Sequence, residues 1–263
     1  MTDWAAVRAD DFAVPADRPL DELVGELSGM LRSADPVARD STAYSTLATW
    51  IGRGVLSEGQ LRELGDEMAK RFGEAEIQAR TFAPLILDCI VSAGVYEASW
   101  VPPFERWYVA ETDLRGYDAE LGWLHAVAHG ADLLGTLGLY PAVEPVEMLR
   151  LGIGRLLTPT EYVLRDMEDD RLAYALACTL TRSELTVEDA TQWLVPAFTG
   201  MVPIPTTVTA LNTNTTRTLR ALYVFVDRGV RLPGASKVTQ IPHAAEIKVQ
   251  LVEVLRQVSQ SYF

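Results

Sequence analysis

Apolar residues recur at spacings of three and four along nearly the whole chain, and runs that alternate apolar with polar residues are almost absent. The first pattern is typical of amphipathic helices, whereas alternation would indicate strands. The sequence therefore predicts an all-α protein. The predicted helices cover residues 19–32, 37–53, 58–72, 77–94, 103–113, 118–137, 143–157, 168–181, 187–201, 207–229 and 243–260.

Residue types at several predicted helix ends support these boundaries. Ser57 and Gln60 have the spacing of a capping box, in which each side chain bonds the other residue's backbone N–H. Gly54 and Gly229 follow predicted helices, where glycine readily adopts the left-handed backbone that ends a helix.

Short links between consecutive predicted helices favour antiparallel packing of neighbours. The helices group into about five pairs with a period near 40 residues, which favours a HEAT-like α-solenoid of stacked antiparallel helix pairs. An irregular α-helical bundle is the alternative, because no residue-level repeat accompanies the spacing. In both arrangements residues 1–263 form a single domain, and residues 1–18 are expected to be a loosely ordered N-terminal segment.

The net charge of the chain indicates which kinds of partner it is not expected to bind. Its 23 Lys and Arg against 36 Asp and Glu give a net charge of -13, the wrong sign for a surface that neutralises phosphates. We therefore expect no nucleic-acid partner and no anionic membrane. No stretch approaches the roughly twenty apolar residues of a membrane-spanning helix, and the start MTDWAAVRADDF lacks the apolar core of a secretory signal. A cytoplasmic location is expected.

Two of the three histidines in the chain, His125 and His129, lie close together in the segment GWLHAVAHGADLL. If this segment is helical, His125, His129 and Asp132 fall within about 60° of arc, and Asp118 projects onto the same stripe. Most other positions of the predicted helix are apolar, so the helix should be buried. Its polar stripe must then face a paired internal network or a pocket.

Further polar and aromatic residues flank this stripe. Arg115 could pair with the carboxylate of Asp118 or Asp132. Gly122 and Gly130 inside the predicted helix indicate that another part of the chain, or a ligand, comes close to the backbone. The candidate members of a binding site or polar network are Arg80, Glu111, Asp113, Arg115, Tyr117, Asp118, Trp123, His125, His129 and Asp132.

Three interpretations of the stripe remain open. In the first, a small molecule or a protein segment binds in a concave groove around it; this is the leading hypothesis. In the second, His125, His129 and Asp132 hold Zn or Fe in a metal-dependent hydrolase or related enzyme, and Arg115 orients an anionic substrate group. In the third, the same residues form a buried structural network. The sequence does not indicate an oligomeric state.

The residues around this stripe also carry a resemblance to a known family. Glu111 precedes Asp113-Leu114-Arg115-Gly116-Tyr117 (DLRGY), and a short gap leads to GWLHAVAHGADLL. This arrangement resembles an uncharacterised bacterial family, domain-of-unknown-function family 2785, and weaker similarity extends over most of the chain. The resemblance implies a helical-repeat fold and no known reaction.

Overall fold

The computed structural model describes residues 2–201 and 208–258. Two strands, β1 (Tyr117–Asp118) and β2 (Gly122–Trp123), form an antiparallel hairpin. A π-helix (Val37–Tyr44) precedes α3, and a short 3-10 turn (Ala98–Trp100) precedes α6. The α-helices are α1 (Trp4–Ala9), α2 (Leu20–Met30), α3 (Ser45–Gly52), α4 (Glu58–Arg71), α5 (Ile77–Ser92), α6 (Val101–Ala110), α7 (Ala126–Leu139), α8 (Pro145–Leu157), α9 (Glu168–Thr179), α10 (Val187–Gln192), α11 (Val195–Gly200), α12 (Ala210–Arg228) and α13 (Ala244–Val258).

The prediction of an all-α protein is confirmed, because helices make up most of the described residues. The regular solenoid stacking stays a prediction. The first residue of the predicted helix 207–229 and the last two of the predicted helix 243–260 lie outside the described residues. None of the helices in the described ranges has the length and apolar character needed to cross a bilayer.

The chemistry at the helix ends follows the sequence signals. The capping box at the start of α4 is confirmed: the N–H of Gln60 donates to Ser57 Oγ at 3.3 Å, and the N–H of Ser57 donates to Gln60 Oε1 at 2.8 Å. Gly54 and Gly229 follow their helices with φ of 67° and 82°, the positive range that glycine adopts without strain. These signals fix the boundaries locally, whatever the helices pack against.

Helix α7 lies at the centre of the fold. It packs against α5 and α9, and α9 packs in turn against α12. All but a few residues of α7 are buried, as the near-uniform apolar character of this segment predicts. At Gly130 the helix backbone is so close to the ring of Tyr108, on α6, that a Cβ would collide with it. The predicted close approach at Gly130 is thus an approach by protein.

The predicted helix 118–137 is wrong in its first part, because α7 begins only at Ala126. The carboxylate of Asp118 accepts the backbone N–H groups of Glu120 and Leu121, both at 2.9 Å. Such a side-chain bond gives the backbone an alternative to the helix. Gly122 then has φ of 71°, so the chain turns back as the β1–β2 hairpin. Local turn chemistry overrides the helical spacing here.

The N-terminal segment contains helix α1, which the sequence analysis does not predict. Trp4 is 8% exposed, its ring centroid lies 6.1 Å from that of Trp50, and its Nε1–H donates to Glu26 Oε1 at 2.8 Å. The buried ring attaches α1 to α2 and α3, because a tryptophan that buries its ring and satisfies its N–H contributes strongly to packing.

Candidate functional site

The structure keeps His125 beside His129, with their ring centroids 5.6 Å apart, but it does not place them on one helix face as the sequence predicts. His125 precedes α7 with a left-handed backbone, φ 48° and ψ 41°, whereas His129 and Asp132 lie within the helix. The predicted stripe is wrong in assuming that the helix runs through residue 125, although its two imidazoles do meet. The prediction that Asp118 lies on the same helical stripe is also wrong, because Asp118 belongs to strand β1 of the hairpin.

His129 is enclosed between α5 and α7. Its side chain is bonded through Nδ1 to the backbone oxygen of Thr81 at 3.0 Å, and its ring meets that of Phe82 edge-on at 5.3 Å between centroids. Burial lowers the pKa of the His129 imidazole well below its usual value. The residue therefore acts as a neutral, bonded part of the core, as the structural-network interpretation expects.

Asp132 faces Arg171 of α9. Arg171 and Asp132 form a bidentate pair. Nε of Arg171 donates to Asp132 Oδ1 at 3.1 Å, and Nη2 of Arg171 donates to Asp132 Oδ2. Burial raises the pKa of Asp132 to about 6 against the opposing effect of Arg171. The predicted metal set is therefore not assembled, because the groups of His129 and Asp132 are bonded to different parts of the protein.

The remaining charged candidates form two ion-pair groups. Arg80 donates from Nε to Glu111 Oε2 at 2.7 Å. Arg115 bridges Asp113 and Asp118, with a closest distance of 2.6 Å to each. Since Arg115 is held by two carboxylates of its own loop, it does not pair with the carboxylate on α7, and its predicted role in orienting an anionic substrate group is not supported.

His125 has an unsatisfied polar atom. The side chain is 9% exposed, and its Nε2 is buried without a hydrogen-bond partner among the described residues. Burial, together with the positive charge of Arg171, lowers the pKa of the imidazole to about 4. The ring is consequently neutral at pH 7, the form in which histidine binds metal ions.

Asp166 and Glu168, which the sequence analysis does not place in the site, face this imidazole from the start of α9. Met167 between them has φ of 66°, an uncommon conformation for a residue other than glycine. Glu168 is fully buried; its Oε2 accepts the N–H of Asp166 at 2.8 Å, and its Oε1 has no partner among the described residues. Asp166 Oδ2 accepts the N–H of Tyr117 at 3.3 Å, which connects α9 to the hairpin.

One potential ligand atom from each of His125, Asp166 and Glu168 lies within 4.8 Å of the other two. Metal bonds to nitrogen and oxygen are about 2.0–2.2 Å long, so two ligands of one ion lie at most about 4.4 Å apart. Small side-chain rotations would bring the three atoms into this range. One imidazole and two carboxylates suit a divalent ion such as Zn²⁺, Fe²⁺ or Mn²⁺. Three protein ligands also leave coordination positions for water or a substrate.

Large exposed side chains surround this group. Trp123 is 44% exposed, and its ring lies 4.4 Å from that of His125 between centroids. Tyr117, 56% exposed, packs edge-on against Trp123 at 4.9 Å, and Met167 is 65% exposed. Exposed apolar side chains beside buried polar groups are typical of recognition surfaces. The predicted site residues Tyr117, Trp123 and His125 are therefore brought together by the structure.

Arg39 of the π-helix fixes the hairpin that carries these rings. Its side chain is fully buried, and one guanidinium nitrogen donates to the backbone oxygens of Leu121 at 2.6 Å and Trp123 at 3.2 Å. Nε pairs with Asp40 at 2.7 Å, and the guanidinium lies 4.8 Å from the ring centroid of Phe82. The position of His125 thus depends on a residue that is distant in sequence.

Gly116 provides the closest contact between the hairpin and the carboxylates, and it leads to a first prediction. A Cβ at this position would collide with Asp166 Oδ2 and Glu168 Oε1. We expect Gly116→Ala to cost about 2 kcal/mol of unfolding free energy, because one of the two segments must move. Gly25→Ala is the matched control, since no atom lies within 4 Å of the Cβ it would add to α2. Urea titrations that give equal losses for both variants would contradict the prediction.

The sequence offers only a weak signal for the two missed carboxylates. The run Glu168-Asp169-Asp170 is interpretable as negative charge at a helix N-terminus, and α9 does begin at Glu168 with all three residues in its first turn. That interpretation explains the run without a site. Only the packing of α9 against α7 shows that Glu168 and Asp166 meet His125.

Comparison with known proteins places the chain in a family without assigning a reaction. Neither the curated proteins nor the solved structures contain a significant match. The model of a family described as proteins of unknown function (DUF2785) matches residues 68–224, well over half of the 263 residues. The matched range includes His125, Asp166 and Glu168. The resemblance seen in the DLRGY and GWLHAVAHGADLL segments is confirmed, and the chain belongs to the DUF2785 family.

Proposed function

We propose that this protein is a metal-dependent hydrolase. It binds a divalent transition-metal ion through His125, Asp166 and Glu168. The observation that carries the proposal is the pair of buried, unpartnered atoms, His125 Nε2 and Glu168 Oε1, in one group of potential ligands. A buried polar atom without a partner costs about 1–3 kcal/mol. An ion that accepts both lone pairs would remove this cost.

The surroundings of the three residues agree with a metal site. The imidazole is neutral at pH 7, and Glu168 and Asp166 keep free carboxylate oxygens after their bonds to backbone N–H groups. Such backbone bonds are the outer contacts that orient metal ligands. A bound ion would lower the pKa of a coordinated water, so that hydroxide forms near neutral pH for attack on a substrate.

Metal analysis of protein purified without a histidine tag tests the proposal, and a near-stoichiometric content of Zn, Fe or Mn is expected. His125→Asn should lose the ion, because asparagine tolerates the left-handed backbone but lacks the imidazole. Glu168→Gln should lose it as well. His243→Asn is the matched control, since His243 also has a positive φ, 56°, and is absent from the ligand group.

Two results would contradict the proposal. One is wild-type protein that remains metal-free after incubation with each of these ions and removal of the excess. The other is a His125→Asn variant that keeps the metal content of the wild type. Circular dichroism of each variant should match the wild-type spectrum, so that loss of metal is separated from loss of fold.

A second candidate function is binding of a small molecule without catalysis. The leading hypothesis from the sequence includes this function together with binding of a protein segment. Small-molecule binding is favoured by a cavity of about 130 Å³ between α5, α7 and α9, lined by Asp88, Asp132 and Thr136 among others. A larger cavity of about 720 Å³ lies between α3, α4 and α5, and no predicted site residue lines it. If the wild-type protein proves to be metal-free in the metal analysis, this second function becomes the better supported one.

A further inference from the structure

We propose that the substrate of the metal site carries a negatively charged oxygen group, a carboxylate or a phosphate, and that Arg165 binds this group beside the ion. This inference rests on the proposed function and names the class of its substrate. It replaces Arg115, the residue that the sequence analysis assigns to such a role.

Arg165 is connected to the metal site through a short series of contacts. Its Nε donates to the hydroxyl oxygen of Tyr162 at 3.3 Å, and its guanidinium lies 5.1 Å from the centroid of that ring. The same hydroxyl oxygen accepts the backbone N–H of Gly116 at 3.3 Å. Gly116 in turn lies directly against the carboxylates of Asp166 and Glu168. These contacts link the guanidinium to the hairpin residue that lies against two of the three candidate ligands.

The charge of Arg165 is available, in contrast to that of the other arginines nearby. Arg115, Arg171 and Arg217 each form ion pairs with aspartates, and Arg217 lies 2.7 Å from Asp169. Arg165 is exposed and has no ion-pair partner within 4.0 Å among the described residues. An arginine stacked on a tyrosine ring keeps its flat set of donors oriented. Such donors match the paired oxygens of a carboxylate or a phosphate.

The positive charge of Arg165 favours an anion beside the ion. The carboxylates of Asp166 and Glu168 would balance the two positive charges of a bound divalent ion. Arg165 then adds a positive charge that no ion pair neutralises within 4.0 Å among the described residues. A substrate group with negative charge would be attracted to this position and held while the ion activates water.

The test is titration of Mn²⁺-loaded protein with inorganic phosphate and, in parallel, with acetate. Arg165→Gln removes the charge and the guanidinium, and it should weaken binding of the preferred anion about tenfold, the loss of one charge-assisted bond. Arg165→Lys keeps the charge and should recover part of the affinity. Arg106→Gln is the matched control, because Arg106 on α6 is also exposed and has no ion-pair partner within 4.0 Å among the described residues.

The results separate this inference from the proposed function. Retention of Zn²⁺, Fe²⁺ and Mn²⁺ is measured first, and protein that retains none of them overturns both. If the protein retains Zn²⁺ or Fe²⁺ but not Mn²⁺, the anion titrations use the retained ion in place of Mn²⁺. Protein that retains Mn²⁺ but binds phosphate and acetate equally well in the wild type and in Arg165→Gln overturns only the role of Arg165. Weaker binding in Arg165→Gln at unchanged Mn²⁺ content, with Arg106→Gln like the wild type, supports it, and the anion that binds more tightly identifies the substrate group.

Discussion

Replacing Arg39 with methionine is expected to lower the free energy of unfolding by about 4 kcal/mol, because it removes a fully buried guanidinium from a partly exposed carboxylate and from two backbone oxygens. Asp40 would keep its charge without a cation, and the backbone oxygens of Leu121 and Trp123 would lose their donor. The loss corresponds to a decrease in Tm of roughly 10 °C for a chain of this length. Thermal unfolding followed by circular dichroism measures it.

The same Arg39→Met substitution should also weaken metal binding, because the hairpin that ends at His125 loses its anchor. Arg150→Met is the matched control: Arg150 pairs with Glu147 at 2.6 Å, but its side chain is 59% exposed, and exposed pairs contribute about 0–1 kcal/mol. Equal decreases in Tm for the two variants would show that the buried contacts of Arg39 do not stabilise the hairpin.

The second large effect is expected in the pH dependence of stability, through His129. Its folded-state pKa lies well below the ordinary value of 6.5, so below about pH 6.5 the unfolded chain takes up a proton that the folded protein does not. The contribution of His129 to stability is therefore complete above this pH and is lost as the pH falls. The loss approaches about 1.4 kcal/mol per pH unit between the two pKa values.

The prediction is tested by comparing the wild type with His129→Gln, whose side chain cannot take up a proton in this range. Urea titrations at pH 7.5, 6.0 and 4.5 should show the two unfolding free energies converging as the pH falls. Asp132 acts in the opposite direction, since its raised pKa of about 6 makes stability fall as the pH rises from about 4 to 6. Asp132 is present in both proteins, so its effect largely cancels in the difference between their unfolding free energies. If the unfolding free energies of the two proteins instead change in parallel with pH, His129 does not have a lowered pKa in the folded protein.

Much of the fold is predictable from the sequence because most helix boundaries depend on local chemistry. The capping residues Ser57 and Gln60 mark the start of α4 wherever α4 packs. Residues 118–125 are the exception, since their apolar spacing continues that of α7 while Asp118 and Gly122 favour a turn. The π-helix is a further case: the predicted helix 37–53 covers it, but no residue pattern distinguishes its hydrogen bonding from that of α3.

The candidate site is only partly predictable, because its members come from segments that meet only in the folded chain. The sequence indicates His125, Tyr117 and Trp123 as candidates, but its spacing pairs His125 with residues of the same predicted helix. Local spacing can indicate ligands only when they share one element. Asp166 and Glu168 meet His125 because α9 packs on α7 and because Met167 adopts a left-handed backbone, and neither fact is visible in residue spacing.

The division of the ligand group between two segments has a consequence for the order of folding. His125 precedes α8 in the chain, whereas Asp166 and Glu168 follow it. A refolding intermediate in which α9 has not yet joined α7 would hold the imidazole without either carboxylate, so it could not retain an ion. Uptake of a metal ion during refolding would therefore report the formation of one specific tertiary contact, and a metal-sensitive dye could time that step.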